Sequence, residues 1–267
     1  GFGVHSRKES LTLYTGTMTL HDGTKIHPNI NLELTKAQHY VLGYNYNISN
    51  DLQLKIEAYY QYLYDIPVYP FPDYFSTINF DWGFEGNILI NRGKAYNKGI
   101  EFLLEKYFSK GYTFLLNATL YDSKYKNYLG EEYNTKYNGS YATNGLFRKE
   151  YKVGKNKQNW LGFGARFIYM GGMRYLPIDI AESIAQDNTV RNRDNGYTEK
   201  LDDYFRIDLQ FIFRRNKPKH TGEWRLDIIN LTNQKNIRYE YYDSELNSIE
   251  TEYQNPFIPV LSYRIQF

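Results

Sequence analysis

Apolar and polar residues alternate along most of this chain, and the clearest run is residues 203–214. There Phe205, Ile207, Leu209, Phe211 and Phe213 share one face, Arg206, Asp208, Gln210 and Arg214 share the other, and Ile212 is the one exception. A two-residue side-chain period predicts a β-strand, and about ten residues is the length a tilted strand needs to cross a bilayer. Residues 51–62 repeat the pattern, with Leu52, Leu54, Ile56, Ala58, Tyr60 and Tyr62 opposite Gln53, Lys55, Glu57, Tyr59 and Gln61. Shorter versions occur at 40–48, 100–105, 114–119, 147–153, 161–169, 224–228 and 261–267, which predicts about nine strands. Helical periodicity does not compete anywhere; Ile178 to Gln186, after Pro177, reads as one or two turns inside a loop.

The connections between these segments alternate in length. Short polar turns fall at 49–51, 109–111, 154–157 and 216–221, and long connections at 71–94, 127–144, 178–201 and 240–257. A soluble sandwich has no reason to gather its long loops at one end. An outer-membrane barrel does, with short periplasmic turns and long extracellular loops. The fold class expected is therefore all-β, an antiparallel transmembrane β-barrel segment arranged as a meander, with its C-terminus on the short-turn side. Tyr and Trp gather at strand ends, including Tyr59, Tyr60, Tyr62, Tyr64, Tyr121, Tyr125, Tyr128, Tyr169, Tyr175, Tyr239, Tyr241 and Tyr242, where a girdle would settle at headgroup level.

Composition narrows the function. Aromatic residues make up 18% of the 267 positions, which excludes disorder, because a disordered chain has nothing to bury against such rings. A formal net charge of +2 provides no global field for nucleic acid, so no nucleic-acid partner is expected. The absence of cysteine removes disulfides, thiolate metal sites and thiol nucleophiles. The first residues, Gly1 to His5, contain no signal-peptide pattern, and the chain reads as truncated at its start.

No nucleophile elbow, phosphate-binding loop or paired zinc-ligand helix is present, so neither catalytic residues nor a resident metal or cofactor is expected. His21 and His27 lie six apart in a polar region, where they suit either a shared metal or haem-like ligand or, in preference, two unrelated loop histidines. Glu57, Glu101 and Glu105 read as the hydrated lining of a lumen. Binding chemistry belongs to the long loops. Residues 71–92, with Phe71, Tyr74, Phe75, Phe80, Trp82, Phe84 and Arg92, suit a flat or cyclic ligand or a sugar face; the same rings also suit packing between loops. Residues 178–200, with Arg191 and Arg193 beside Asp187 and Asp194, suit either an anionic ligand such as a metal chelate or a solvated mixed-charge loop.

The chain's end, Tyr263-Arg264-Ile265-Gln266-Phe267, resembles the terminal strand of bacterial outer-membrane proteins. That resemblance implies that Tyr263, Ile265 and Phe267 form the signal read by the barrel-assembly machinery. Further stretches resemble the C-terminal part of a TonB-dependent outer-membrane receptor of the Bacteroidetes kind: residues 1–7, 37–44, 57–61 through 66–68, Asn97-Lys98-Gly99-Ile100-Glu101, Arg206-Ile207-Asp208, and Asp227-Ile228-Ile229-Asn230-Leu231-Thr232-Asn233. The resemblance implies a 22-strand barrel with an N-terminal plug, embedded in outer-membrane lipid. It also implies TonB-energised uptake of a small nutrient such as a siderophore, haem, cobalamin or oligosaccharide. Residues 1–267 would then be the C-terminal portion of the barrel, without plug, TonB box or first half. Two rivals remain, a soluble carbohydrate-binding module and an outer-membrane barrel acting as adhesin or enzyme; the first accounts for neither the loop asymmetry nor the terminal Phe.

Overall fold

The computed structural model describes residues 1–80, 83–192 and 196–267. Among the described residues, ten strands form one antiparallel meander, and an eleventh, Glu132–Asn134, pairs only with the end of the Tyr112–Lys126 strand. The ten are β1 (Phe2–Arg7), β2 (Thr35–Ser49), β3 (Leu52–Val68), β4 (Ile90–Ser109), β5 (Tyr112–Lys126), β6 (Tyr141–Val153), β7 (Asn159–Met170), β8 (Tyr204–Lys217), β9 (His220–Ile229) and β10 (Ile258–Gln266). All nine alternating segments lie in strands. The tenth strand, β1, lies where the sequence shows only two large apolar residues.

Register turns the alternation into two continuous faces. Along one row, Phe114, Phe147, Ala165, Leu209, Ile228 and Pro259 stand side by side from β5 to β10. A second row runs Tyr46, Leu54, Leu104, Leu116, Gly145, Phe167 and Ile207 from β2 to β8. The opposite face carries charge-assisted hydrogen bonds: Arg206 to Asp208 and Gln210 to Asp227, both 2.7 Å, and Arg214 to Glu223 at 2.7 Å. Ile212, the exception to the alternation, lies on this polar face opposite Gly162 and is buried. An apolar face without a covering layer and a polar face full of paired charges is the arrangement of a barrel wall between lipid and a wet lumen.

The turns at one end are tight. Lys110-Gly111 joins β4 to β5 with both residues at positive φ, 50° and 78°, the two-residue turn that matches strand twist; Gly111 meets that requirement without a Cβ clash. Pro218-Lys219 joins β8 to β9, so the strands there run further than 216–221 suggested. Five long segments crowd the other end, at 8–34, 69–89, 127–140, 171–203 and 230–257. They contain a helix at Ile180–Gln186, within the stretch expected for one, and hairpins that alternation did not reveal, the largest pairing Ile237–Asp243 with Ser248–Tyr253.

Aromatic rings mark both ends of the apolar face. At the loop end stand Tyr40, Tyr60, Tyr96, Tyr141 and Tyr169; at the turn end stand Tyr46, Tyr112, Tyr151, Trp224 and Tyr263. Tyr141 and Tyr151 are ten residues apart on β6, a height of about 25 Å at a rise of about 3.3 Å per residue and a tilt of about 40°. The girdle expected from sequence needs two corrections: Tyr128, Tyr175, Tyr239, Tyr241 and Tyr242 belong to the long segments beyond the ten-strand sheet, and three others face inward. Tyr59, Tyr121 and Tyr125 occupy the polar face: Tyr59 and Tyr121 flank Gly99 in one row, and Tyr125 pairs with Ala95 four residues further toward the loops. A Cβ at Gly99 would meet the Leu120 carbonyl oxygen at 2.6 Å and the Tyr59 hydroxyl at 2.7 Å, so only glycine lets the Tyr59 ring lie across β4.

Candidate functional site

The long segments form a continuous layer across the loop end, held through backbone carbonyls. Asn29, 1% exposed, donates from Nδ2 to the carbonyls of Asn87 (2.9 Å) and Glu85 (3.3 Å) and accepts from the Leu89 N–H at 2.9 Å. These bonds clamp segment 8–34 to segment 69–89 over a buried cluster of Leu13, Tyr69 and Leu89. Tyr69 donates to the Glu85 carboxylate at 2.8 Å, and burial together with that carboxylate pushes the phenol well above its ordinary pKa. Segment 69–89 is tied in turn to 127–140. Tyr125, fully buried at the top of β5, donates to the Tyr74 carbonyl, Asn127 donates to the Asp73 carbonyl at 3.0 Å, and the Lys136 N–H donates to Asn79 Oδ1 at 2.9 Å.

Two arginines continue the chain of contacts. Arg174 donates from Nε to the Asn138 carbonyl at 3.0 Å and from Nη1 to the Thr198 carbonyl at 2.9 Å. Arg191 donates to the Leu176 carbonyl at 2.9 Å and to the Glu240 carbonyl, joining segment 171–203 to hairpin 237–253. Its burial lowers the guanidinium pKa, opposed by nearby Glu240. Asn230 anchors the last segment. It is fully buried at φ 52°, donates to the carbonyls of Gln234 and Asn255 at 3.0 Å each, and donates its backbone N–H to Asp208 at 2.9 Å. The Arg206-Ile207-Asp208 and Asn230-containing stretches therefore form one locking device.

The sequence-derived candidates are scattered by this arrangement. Phe84 is 74% exposed on segment 69–89, whereas Phe71, 47% exposed, is stacked against the Tyr69 ring at 4.9 Å. Arg191 spends its donors on loop carbonyls. Arg92 lies on the apolar side of β4, its guanidinium 5.8 Å from the Tyr128 ring and away from Phe84, because it is two residues into a strand that begins ten residues before the alternation at 100–105. Trp82 and Arg193 lie outside the described residues. Tyr263 and Ile265 stand on the apolar face with Trp224 4.6 Å from the Tyr263 ring, and Phe267 is exposed beside His220. Asn29, Tyr125 and Arg174, which hold the layer together, carry no sequence signal beyond their residue type.

Below the loops, the polar face holds a recess of about 660 Å³. Leu115, Leu146 and Val260 form its apolar floor, and Glu105, Arg148, Arg166, Asp208, Gln210 and Asp227 surround them. Glu57 and Glu101 are register neighbours on the same face, with Glu57 paired to Lys55 at 2.6 Å. No group of three or more His, Asp or Glu able to hold a metal ion occurs among the described residues.

Charge divides along the molecule's long axis. The five long segments contain 20 of the 30 acidic residues and 9 of the 32 basic ones, leaving the strands and short turns strongly basic.

A search of curated proteins finds no match to the chain. A solved structure, the ferric-catecholate import receptor Fiu of E. coli K12 in its closed form, superposes with a TM-score of 0.54 at 14% identity, over 87% of this chain and 28% of that one. At that identity the likeness concerns the fold, and the chain spans 28% of the length of this structural relative. A family model for the TonB dependent receptor-like β-barrel matches residues 9–233. The sheet order, the two faces and the loop asymmetry agree with that match over most of the chain, which belongs to the TonB-dependent receptor β-barrel family of the bacterial outer membrane.

Proposed function

We propose that the chain is the C-terminal wall of a receptor that takes up a scarce nutrient with energy delivered through TonB, and that its long loops help capture the ligand at the cell surface. The observation that carries this reading is the knitted loop layer at one end of a membrane-spanning sheet, with the Phe84 ring and part of the Tyr69-stacked Phe71 ring exposed on it. Barrel closure supports the C-terminal placement. β1 covers only Thr35–Tyr40 of β2, so Leu42–Ile48 has one strand neighbour, and β10 has one along its whole length. Unpaired backbone groups on two such edges are costly in lipid, so the wall is completed by further strands, with the plug and TonB box lying in that remaining part.

A ferric chelate, the cargo named for Fiu, is one candidate alongside haem, cobalamin and an oligosaccharide. The acidic balance of these loops gives an anionic chelate no long-range attraction from this part of the mouth, which favours neutral or cationic ligands captured by ring contact. The test uses the full-length receptor, titrated with a ferric catecholate, haem, cobalamin and a malto-oligosaccharide. One of them should bind, the Phe71→Ala/Phe84→Ala variant should bind it roughly 5- to 150-fold more weakly (about 1–3 kcal/mol) at unchanged membrane level, and cellular uptake should require the TonB complex. TonB-independent uptake, or unchanged binding by the variant, would refute the reading.

A further inference from the structure

The loop-end third of the apolar face carries an electrostatic conflict. Lys94 on β4 and Lys126 on β5 are direct register partners, and Arg92 stands two residues from Lys94 on the same side. Like charges placed opposite one another across a strand pair destabilise a sheet. Nearby carboxylates resolve the conflict only in part: Asp65 pairs with Lys36 at 2.8 Å and Asp122 with Lys98 at 3.6 Å, while Glu132, the register partner of Lys126 on the short strand Glu132–Asn134, pairs with Lys124 at 3.1 Å, so that three carboxylates face the six cations Lys36, Arg92, Lys94, Lys98, Lys124 and Lys126. Arg92, Lys94 and Lys126 have no carboxylate within 4.0 Å among the described residues. Arg92 and Lys94 are exposed, and they border a recess of about 600 Å³ whose walls include Tyr62, Tyr64 and Tyr128.

The height of the patch identifies its partner. Lys94 lies two residues loopward of Tyr96, the register partner of Tyr62, hence about 7 Å beyond the tyrosine girdle along the strand. Below the girdle the same face becomes aliphatic, with Ala58, Ile100 and Leu120 in one row. A surplus of three positive charges directly above an aromatic belt, and an apolar wall directly beneath it, match a molecule with phosphate above and acyl chains below. In this family's orientation the loop end faces the outer leaflet. We propose that Arg92, Lys94 and Lys126 bind the phosphate groups of an anionic, phosphorylated glycolipid of the outer leaflet, whose acyl chains lie against the wall beneath. The bound phosphate supplies the missing negative charge between the two lysines through charge-assisted hydrogen bonds, and Arg92 can grip it bidentately from its place over the Tyr128 ring.

The experiment is a retention titration by native mass spectrometry on the full-length receptor in detergent, with diphosphorylated lipid A and its dephosphorylated form as probes. The wild type should retain the phosphorylated lipid about tenfold more tightly than the dephosphorylated one. The Arg92→Gln/Lys94→Gln/Lys126→Gln variant should lose that preference, whereas Lys110→Gln/Lys149→Gln, which removes two charges at the turn end, should keep it. Retention of the folded barrel's heat-modifiable gel mobility establishes that each variant is assembled, and the wild-type preference alone decides the matter if the triple variant is not. Equal retention of the two lipids by the wild type, or an undiminished preference in the triple variant, overturns the proposal. Displacement of the lipid by millimolar inorganic phosphate overturns it as well, because the patch would then be a site for soluble anions.

Discussion

Replacing Leu209 by Arg and replacing Gln210 by Arg put the same side chain one residue apart on β8, and the two variants should behave very differently. Leu209 lies between Ala165 and Ile228 in the apolar row, five residues from Tyr204 at the loop end of the strand. At about 2.5 Å of height per residue in a strand tilted by about 40°, that is about 12 Å into an apolar band about 25 Å tall, close to the bilayer midplane. An Arg there costs about 2–4 kcal/mol. Gln210 faces the other way and donates to Asp227 at 2.7 Å. Arg at that position loses one hydrogen bond of about 1 kcal/mol and gains carboxylate partners in Asp227 and Asp208, so its net effect should stay within about 1 kcal/mol. The assay is urea unfolding of the full-length receptor refolded into micelles, followed by the loss of heat-modifiable mobility. Leu209→Arg should lower the free energy of unfolding by at least about 2 kcal/mol relative to Gln210→Arg. Equal midpoints for the two variants would refute the assignment of faces on which the whole argument for the membrane rests.

Asn230→Ala removes two donors and one acceptor from a fully buried site and leaves alanine at φ 52°; it should cost about 2–4 kcal/mol in the same urea assay and make segment 230–257 protease-sensitive first, while Asn230→Asp should retain part of the stability. Gly99→Ala should destabilise by about 1–3 kcal/mol, and adding Tyr59→Ala should recover only part of the loss because the Leu120 carbonyl still blocks the Cβ; full recovery would place the clash in the ring alone. The Asp203 carboxyl is held below its ordinary range, first by the Tyr141 hydroxyl and then by the Gly172 N–H, Tyr169 and Lys200. A depressed folded pKa contributes stability above the unfolded value of about 3.9 and loses it as pH falls through the folded value, so the wild type's advantage over Asp203→Asn in urea midpoint should be present at pH 6 and shrink toward pH 3. A constant difference across that range would contradict the hydrogen-bond assignment.

How much of this was legible in sequence depends on height in the membrane. Where the apolar face meets acyl chains, as at Leu209, Leu54 or Leu116, aliphatic residues alternate with polar ones and the strands can be read directly. At headgroup level the outward residues of β4 are Lys94, Tyr96 and Lys98 while the inward ones are Gly93 and Ala95, so the polarity of the alternation inverts, and the first five residues of the strand read as loop. That inversion is also why Arg92 seemed to belong with Phe84 in a ligand-facing loop. β1 escaped detection because six residues with two large apolar side chains carry too little pattern, and the 237–253 hairpin because Tyr239, Tyr241 and Tyr242 stand above the membrane with no lipid to impose one polarity on one face. The loop layer was illegible for a different reason. Asn29 and Arg174 act on backbone carbonyls far away in sequence, and nothing local distinguishes such a residue from any other polar loop position.

Residues 1–267 contain no cysteine, so single cysteines placed at each position from 205 to 214 of the full-length receptor, with any cysteine elsewhere in it replaced by serine, can be spin-labelled and compared for collisions with oxygen, which concentrates in lipid, and with a water-soluble nickel chelate. If β8 is a wall between lipid and lumen, oxygen accessibility will peak at 205, 207, 209, 211 and 213, and nickel accessibility will peak at 206, 208, 210 and 214, the two out of phase with a period of two. Collision profiles that rise and fall together, or show no two-residue period, would contradict a membrane-spanning strand.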